Sequence, residues 1–571
     1  VYHNLEAEKQ AWANQMNQLE KKILEMQLTL ESQFSSLSDS LNKTHVLQNE
    51  TQERLHSLEN FIRSSFSARP RLFFSAKLYW LKHKLSRLRH FSKVFVRLLE
   101  QGDFKTLRWK IVKKLGEWFG KRQQGLDTQP PTLPTMHLDS PVFILGTTHT
   151  RFIALLIENG LKKLGFVNVT ILPSDQKNFT SDYHFVICPQ MFERLPSYYF
   201  AFQMEQSVSS RWFTKDYFNT LEYSVAIMDY SLKNIAFLQN EGHFPYQSLF
   251  YTPVSNLSKE AVFSDAGAKN LDVEYDVVFY GDANAPRRKM FLDEIGKRFK
   301  LLVVSEVFGD ALCHELSRAK VVVNIHYYEN ALLETTRIYE CLSLGLSVVS
   351  ESSSDQDEHK VLDGLVTFTP IDDVETMCQE IESALTQTEM PKPILSPDIN
   401  HFTYYLGRML LALDLISRDT ASLPAPLSCK QLGQRVGLSL PETYDRRTYL
   451  QESQPDTPIF PGLRHSKGWI GCALSYQSMA KQALACGLTL LEACEDDVIL
   501  GDQFENQLDI VHSFLFKKLG NENWDIFSGL IADLNEKTTV SEVYEYKGMR
   551  FAELDFMTST VFNIYNYLLS G

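Results

Sequence analysis

The chain has 571 residues, and at roughly 150 residues per domain this length predicts three or four folding units. Hydrophobic residues make up 44% and charged residues 22%, a composition that excludes a largely disordered chain. The eight cysteines form no C-x-x-C pair, so the sequence predicts neither a zinc site nor a disulfide scaffold and favours a reducing, cytoplasmic compartment.

Membrane attachment, if present, is predicted to be peripheral. The sequence has neither a signal peptide nor an apolar run of about 18 residues, so no helix is expected to span a bilayer. The expected place is then the inner face of the cytoplasmic membrane. The chain begins at Val1 rather than at Met, which predicts a fragment excised from a longer protein.

The first 62 residues predict a coiled-coil stalk. Residues 5–62 lack Pro and Gly, and apolar residues recur at heptad positions from Leu5 to Leu37. A heptad pattern of this length, flanked by charge, favours a coiled coil and therefore a homo-oligomer. The alternative is one long helix packed on the globular part of the same chain.

A basic amphipathic segment follows at 63–124, although the net charge of the whole chain is −13. Apolar residues recur there at helical spacing, with Lys and Arg on the other face. This pattern predicts two helices that meet an anionic membrane surface, and a charged linker packed on the next domain is an equal alternative. No nucleic-acid-binding signature accompanies it, so nucleic acid is not an expected partner. The Pro- and Gln-rich residues 125–139 are typical of a linker.

From 140 to 420, here called the central module, apolar strands alternate with helices, which predicts an α/β fold with parallel sheets. The strands fall into two sets, in a first half (140–268) and a second half (269–420). Two consecutive Rossmann-like halves predict a cleft with ligands at the carboxyl ends of the strands. The predicted strands are 141–145, 167–171, 184–188 and 224–228, then 275–280, 301–304, 320–324 and 347–350.

The second half contains an E-x-x-R-x-x-E pattern formed by Glu334, Arg337 and Glu340, between two apolar strands. A carboxylate on such a helix can accept hydrogen bonds from the hydroxyl groups of a ribose. A guanidinium can bind a diphosphate by donating two hydrogen bonds. Gly281 and Asp282, with Arg287 and Arg288, follow the first strand of this half and offer a second phosphate contact. The alternative for the helix residues is an ordinary set of surface ion pairs.

This pattern and its flanking strands resemble the C-terminal half of GT-B glycosyltransferases, especially the group similar to the spore-maturation protein CgeB. The resemblance covers 140–390 and departs from the widespread E-x7-E pattern, since Leu332 stands eight residues before Glu340. It implies a nucleotide-sugar donor on the second half and no bound metal. An inverting reaction would also need a general base from the first half, for which His149 and Glu205 are the candidates.

A C-terminal module is predicted after the Pro-rich break at 423–426. Paired arginines, Arg446 and Arg447, follow a strand; a G-x-I-G-C-A-L-S run follows them; an apolar strand then ends in an acidic triplet, 495–497. Carboxylates at a strand tip are hard oxygen ligands that suit Mn²⁺ or Mg²⁺. The alternative for the triplet is a solvated turn.

These three motifs, in this order, resemble glycosyltransferase family 25, the lipopolysaccharide and collagen-type galactosyltransferases with a GT-A-like fold. The resemblance implies a UDP-hexose donor, phosphate contacts from Arg446 and Arg447, and a metal ion at Glu495 and Asp497. The later portion of that family is absent, so the module at 430–571 is predicted to be incomplete.

The two modules together predict a bifunctional glycosyltransferase. It would move sugars from nucleotide-sugar donors to a bacterial surface glycan, lipopolysaccharide or capsule, with a lipid-linked or oligosaccharide acceptor. The alternative is one active transferase module, with the other serving as a non-catalytic binding scaffold.

Overall fold

The computed structural model describes one compact unit that falls within 132–571. The described residues are 136–208, 212–263, 273–386, 401–416, 423–498, 500–501, 503–520, 523–529, 531–534, 538–554, 561–564 and 566–570. The predicted coiled coil, the basic segment and most of the linker lie outside the described residues. In the described part of the chain, no helix has the length and apolar character needed to cross a membrane.

The first half of the central module is an α/β layer structure. Its strands are β1 Val142–Leu145, β2 Val169–Leu172, β3 Tyr183–Ile187, β4 Tyr199–Gln203, β5 Ala226–Asp229 and β6 Leu249–Tyr251. Its helices are α1 Arg151–Lys163, α2 Lys215–Glu222, α3 Leu232–Asn240 and α4 Lys259–Val262. The strands form a parallel sheet in the order β2-β1-β3-β4-β5-β6, which changes direction between β1 and β3.

The second half repeats this plan. Its strands are β7 Tyr275–Tyr280, β8 Leu301–Val304, β9 Ala319–Asn324, β10 Ser347–Glu351 and β11 Thr367–Thr369. Its helices are α5 Pro286–Arg298, α6 Gly309–Leu316, α7 Thr335–Ser343, α8 Val374–Thr386 and α9 His401–Ala412. All strands are parallel in the order β11-β10-β9-β7-β8, so the direction changes between β7 and β9.

Helix α9 packs back on the first half, although it follows the second half in sequence. Its Leu406 side chain lies against Gly160 of helix α1, where an added Cβ would stand 3.0 Å from a Leu406 methyl. The ring of Phe402 stacks on Phe202 at a centroid distance of 6.3 Å. The absence of a side chain at Gly160 therefore allows the two helices to approach closely.

The C-terminal module is a third α/β unit. Its helices are α10 Tyr444–Ser453, α11 Gly468–Ala485 and α12 Phe504–His512. Its strands are β12 Arg435–Ser439, β13 Ile459–Pro461, β14 Leu490–Glu495, β15 Ile526–Ser528, β16 Ile531–Leu534, β17 Val540–Tyr546, β18 Met549–Leu554, β19 Val561–Ile564 and β20 Asn566–Ser570. The main sheet has the order β13-β12-β14-β20-β15, in which β20 runs antiparallel to its neighbours.

The α/β prediction with parallel sheets is confirmed, and each predicted strand of the central module is present with a shift of at most a few residues. Three strands were not predicted: β4, β6 and β11. Strand β4 is buried throughout and reads Tyr-Phe-Ala-Phe-Gln, so it lacks the alternation that marks a half-exposed strand. Strands β6 and β11 have only three residues each and lie at sheet edges, where the sequence signal is weakest.

Two cysteines form a disulfide, which the sequence analysis did not predict. Cys429, before β12, is bonded to Cys486, at the end of helix α11, across a separation of 57 residues. The sequence, which predicted no disulfide scaffold, did not indicate this single bond, because the fold brings together two positions that no local spacing pattern connects. Cysteine usage consequently loses its value as an argument for a reducing compartment.

Candidate functional site

The candidate site of the second half lies where its strand order changes direction, between the carboxyl ends of β7 and β9. Gly281 follows β7 with a positive φ of 123°, a conformation that favours glycine. A Cβ at this position would stand 2.9 Å from an Nη of Arg337 and 3.6 Å from an Nη of Arg288. Gly281 therefore leaves room for two guanidinium groups beside one backbone turn.

Arg288 is held rigidly on the first turn of helix α5. Its Nε donates to the carbonyl of Ile325 at 2.9 Å, and an Nη donates to the carbonyl of Asp282 at 3.1 Å. The guanidinium also lies over the rings of Phe279 and Tyr327. Burial, together with the nearby charge of Arg337, lowers the pKa of Arg288 to about 10, so the group is still cationic at neutral pH.

Arg337 reaches the same turn from helix α7. An Nη donates to the side-chain oxygen of Asn324 at 2.9 Å, and the guanidinium lies 4.9 Å from the ring centroid of Tyr280. The charges of Arg288 and Arg337 repel one another, and the carboxylate of Glu334, 3.9 Å from Arg288, offsets part of this repulsion. An anion such as a diphosphate would relieve that repulsion and accept hydrogen bonds from both groups.

Glu334 is occupied by contacts within the protein. Its carboxylate accepts from the ring of His326 at 2.6 Å and from the side-chain amide of Asn324 at 3.1 Å, and it lies 3.9 Å from Arg288. Burial alone would raise the pKa of Glu334, but the charges of His326, Arg337 and Arg288 hold it well below its usual range. Both hydrogen bonds fall on Oε2, while Oε1 faces Arg288, so Glu334 orients the cations of the site.

His326 is a site residue that the sequence analysis missed. It is buried, with Nδ1 facing Glu334 and Nε2 facing the carbonyl oxygen of Ser352 at 3.0 Å. Both ring nitrogens face acceptors, so both donate and the ring is an imidazolium. Burial opposes this charge, but Glu334 and Glu351 raise the pKa of His326. The sequence offered one indication of this role, a histidine two residues after the apolar strand β9.

Glu340 lies one turn along helix α7 from Arg337 and is differently placed from Glu334. One oxygen accepts a hydrogen bond from the hydroxyl of Tyr280 at 3.1 Å. Burial raises the pKa of Glu340, while the Tyr280 hydrogen bond and the charges of Arg337 and Arg151 oppose the rise. Its other oxygen keeps acceptor capacity, which suits the hydroxyl groups of a sugar or ribose.

Arg287, next to Arg288, has a structural role. It pairs with the buried Glu351 at the end of β10 through both terminal nitrogens, with one of these contacts at 2.6 Å. It also pairs with Asp372 at 2.7 Å. Its guanidinium therefore ties helix α5 to the neighbouring strand and is not available to a phosphate.

His149 lies in the turn after β1, where the strand order of the first half changes direction. Its Nδ1 lies 2.8 Å from the hydroxyl oxygen of Thr147, and its ring is 6.0 Å from that of Phe308 in the second half. The side chain is exposed on one side, but partial burial lowers the pKa of His149. The imidazole is then neutral at pH 7 and able to accept a proton.

Glu205 follows β4 and is held by a buried polar network. Its carboxylate accepts from Gln190 at 2.7 Å, and its backbone carbonyl accepts from the amides of Gln203 and Asn234 at 2.9 and 3.0 Å. The centre of the network is Asp229, which accepts hydrogen bonds from the same two amides at 2.6 and 3.1 Å. The network fixes the backbone that carries Glu205.

The carboxyl edges of the two sheets face each other. The side chain of Gln206 exchanges two hydrogen bonds with the backbone of Leu332, at 2.9 and 3.1 Å. The backbone N–H of Leu232, at the start of helix α3, donates to Glu358 at 3.3 Å. Arg151 pairs with Asp310 at 3.0 Å. These contacts join the two halves near the carboxyl edges of their sheets.

The acidic triplet of the C-terminal module lies between the carboxyl ends of β12 and β14, again where a strand order changes direction. Ser439 donates to Asp496 at 2.7 Å, and Arg446 pairs with Asp496 and, at 3.0 Å, with Asp497. Burial and the charge of Asp497 raise the pKa of Glu495 to about 7. No cluster of three or more metal-ligating side chains was found in the described ranges.

Arg447 is directed away from the triplet. Its Nε and one Nη are buried and have no hydrogen-bond acceptor among the described residues. Its charge acts on Tyr251 of the first half and on Tyr405 of helix α9. The adjacent arginines therefore lie in two environments, although the sequence analysis placed both at one nucleotide.

No family model and no curated protein sequence matches the chain. Solved structures are similar to parts of the chain at low identity. The sucrose-phosphate synthase of Thermosynechococcus elongatus is 12% identical with a TM-score of 0.27, over 36% of this chain and 64% of that one. WaaG, a glycosyltransferase involved in lipopolysaccharide biosynthesis, is 13% identical with a TM-score of 0.29, over 50% of this chain and 97% of that one. An α-glucosyltransferase solved with UDP-glucose and DNA is 11% identical with a TM-score of 0.29, over 43% of this chain and 90% of that one.

Proposed function

We propose that the central module is a glycosyltransferase that binds a nucleotide-sugar donor in the cleft between its halves. The observation that carries this proposal is the pair of guanidinium groups, Arg288 and Arg337, beside Gly281 at the carboxyl ends of parallel strands. Two cations at this position of a parallel sheet, of which Arg288 is buried, favour a nucleotide diphosphate.

The donor diphosphate would lie against Arg288 and Arg337. Sugar transfer breaks the bond between the anomeric carbon and the diphosphate, so negative charge grows on the leaving oxygen. Preorganised cations stabilise that charge more in the transition state than in the ground state. Glu340 would accept hydrogen bonds from the hydroxyl groups of the ribose through the oxygen that does not bind Tyr280.

The acceptor would bind on the first half. Its hydroxyl oxygen forms the new bond to the anomeric carbon and loses its proton to a general base. His149 is suited to this role because its lowered pKa keeps the ring unprotonated at neutral pH. Glu205 is the second candidate, and the network around Asp229 would then be its support.

Release of the nucleoside diphosphate from a panel of sugar nucleotides tests the proposal. We expect Arg337→Ala to lower kcat/KM by at least about tenfold, because one charge-assisted contact of roughly 1.5–3 kcal/mol is lost. Arg298→Ala is the matched control, since that arginine lies on helix α5 but pairs only with Glu294 and Glu375 in the described structure. Equal turnover of the Arg337→Ala and wild-type proteins would refute the assignment.

For the C-terminal module we propose a second, GT-A-like transferase site that takes a UDP-hexose. Glu495 and Asp497 would hold Mn²⁺ or Mg²⁺, whose chemistry is to neutralise a leaving diphosphate. The donor set fits: burial, and then the nearby charge of Asp497, raise the pKa of Glu495 to about 7, and a bound cation would favour the ionised form of this carboxyl. Arg446 already pairs with Asp496 and Asp497 and would orient them.

Calorimetric titration with Mn²⁺ tests this site without relying on turnover. We expect Asp497→Asn to weaken binding at least about tenfold, because a charged oxygen ligand is lost. Asp509→Asn, an exposed residue of helix α12, is the control. Wild-type protein that binds no Mn²⁺, or UDP release that ignores EDTA, would argue against a metal here and favour a single active module beside a binding scaffold.

The cellular setting completes the proposal. A lipid-linked or oligosaccharide acceptor of a bacterial lipopolysaccharide or capsule would be extended at the inner face of the cytoplasmic membrane. The basic segment 63–124 would hold the enzyme at anionic lipid, and the predicted coiled coil would make it a homo-oligomer. Flotation with anionic vesicles, compared with neutral ones, tests the attachment: no binding at low salt would exclude it.

A further inference from the structure

The C-terminal module is fixed to the central module through a buried cluster of charges. Glu442, before helix α10, accepts two hydrogen bonds from Arg408 of helix α9, at 2.6 and 2.8 Å. Arg464 lies 3.7 Å from the same carboxylate. All three side chains are buried, and this carboxylate is held by two cations, so its pKa lies below the usual range although burial opposes this.

The same cluster binds the edge strand β6 of the first half. Glu442 also accepts from the backbone N–H of Tyr251 at 2.9 Å, and Arg464 donates to the carbonyl oxygens of Leu249 and Gln247 at 2.6 and 2.9 Å. The backbone carbonyl of Glu442 accepts from Gln239 of helix α3 at 2.6 Å. The start of helix α10 is therefore held at the end of β6.

Arg447 lies at this place, on the first turn of helix α10. Two of its nitrogens are buried without an acceptor in the described part of the chain, although a buried guanidinium is costly when it is unpaired. The charges of Arg447 and Glu358 both act on the phenol of Tyr251, whose ring meets that of Tyr405 edge-on at 5.3 Å. Tyr251, Glu358 and Arg447 each keep part of their surface exposed.

Tyr251 ends a strand of the first half, at the same edge of the sheet as His149 and Glu205. We infer that Arg447 of the C-terminal module binds a phosphate group of the acceptor that occupies the central cleft. The inference rests on the proposed function, in which the donor diphosphate is assigned to Arg288 and Arg337 on the other half. A phosphate has enough acceptor oxygens for the guanidinium and a phenol at once.

Phosphate binding to the UDP-saturated protein tests the inference, because UDP then fills the donor site. With inorganic phosphate as the calorimetric probe, we expect Arg447→Gln to weaken binding at least about tenfold and Arg447→Lys to keep part of the affinity. Arg550→Gln is the control, as that arginine is 80% exposed on β18. Unchanged binding in Arg447→Gln, or no phosphate binding by the wild type, would overturn the inference.

Further measurements distinguish the possible outcomes. Thermal unfolding of Arg447→Gln and Arg447→Lys shows whether both are folded, and the Lys variant keeps the test valid if the Gln variant is not. UDP affinity that depends on Arg337 supports the proposed function whatever happens at Arg447. Glucose 1-phosphate and a prenyl phosphate in detergent, used as competitors, distinguish a soluble phosphate from a lipid-linked one: displacement by either supports the inference, and displacement by neither contradicts it.

Discussion

At the scale of single residues, the central cleft depends on groups that hold other groups in place. Asn324 links Arg337 to Glu334 and is itself fixed by a hydrogen bond to Ser350 at 3.0 Å. His326 places a positive charge behind Glu334. The two phosphate-binding candidates are therefore supported by a hydrogen-bonded set of residues, which reduces the reorganisation needed when a diphosphate binds.

The first prediction concerns Gly281. We expect Gly281→Ala to weaken UDP binding at least about tenfold, because its Cβ would displace the Arg337 guanidinium. The positive φ adds a stability loss of about 1 kcal/mol. Gly364→Ala is the matched control, since Gly364 has a φ of 77° with nothing within 4 Å of its Cβ position. Similar UDP affinity in the two variants would contradict the steric argument.

The structure brings Arg337 and Arg288 together beside Gly281, because each follows or faces the carboxyl end of a strand predicted from the sequence, and their role as phosphate contacts stays a prediction. It could not show that Glu334 is occupied or that Arg287 is a structural ion pair. Such facts depend on which acceptor each side chain meets, and that is decided by residues far apart in the chain. His326 was missed for the same reason.

At the scale of elements, helix α3 links the two halves of the central module. Its first backbone N–H meets Glu358 of the second half at 3.3 Å, and the side chain of Lys233 reaches the carbonyl of Ser354. Burial, aided by the charge of Asp355, raises the pKa of Glu358 to about 7. The folded protein therefore keeps a proton on this carboxyl where an unfolded chain has lost it.

The second prediction follows from this difference. Between pH 4.5 and pH 7 the folded state binds more protons at Glu358 than the unfolded state, so its contribution to stability falls as the pH rises. We expect Glu358→Gln to remove this slope and to gain on the order of 1 kcal/mol relative to the wild type between pH 5 and pH 8. Urea unfolding at pH 5 and pH 8 measures the free energy of unfolding of both proteins. Parallel pH profiles for the wild type and Glu358→Gln would refute the prediction.

The third prediction concerns Gln206, which bridges the halves through the backbone of Leu332. Because Leu332 lies two residues before Glu334, this contact positions the loop that leads into helix α7. We expect Gln206→Ala to raise the KM for the donor a few-fold, with kcat less affected, as two hydrogen bonds of about 1 kcal/mol each are lost. Gln379→Ala, exposed on helix α8, is the control. A Gln206→Ala variant with the KM of the control would show that the contact is dispensable.

At the scale of the whole molecule, the central and C-terminal modules share a buried interface. Arg408 is fully buried and makes its ion pair with Glu442 across that interface. The alternation of strands and helices predicted each module from its own sequence, but it gave no sign that they are joined. Charged residues are expected to be exposed when only the sequence is known. Arg408 and Glu442 are 34 residues apart, so no sequence pattern indicates that they form a buried ion pair.

The fourth prediction tests this interface. We expect Glu442→Gln to lower the free energy of unfolding by about 3–5 kcal/mol, because it leaves the buried charge of Arg408 uncompensated. Glu452→Gln, an exposed change on helix α10, is the matched control and should stay within about 0.5 kcal/mol of the wild type. Equal melting temperatures for the two variants would show that the ion pair does not hold the modules together.

The edge strand β6 gives this interface a further consequence. An open strand edge exposes unpaired backbone groups, which recruit strands from other chains and lead to aggregation. Here the side chains of Glu442 and Arg464 occupy the N–H of Tyr251 and the carbonyl oxygen of Leu249. The C-terminal module thus protects the central sheet from self-association. A central module expressed alone should therefore be more prone to aggregate than the longer chain, whatever its catalytic state.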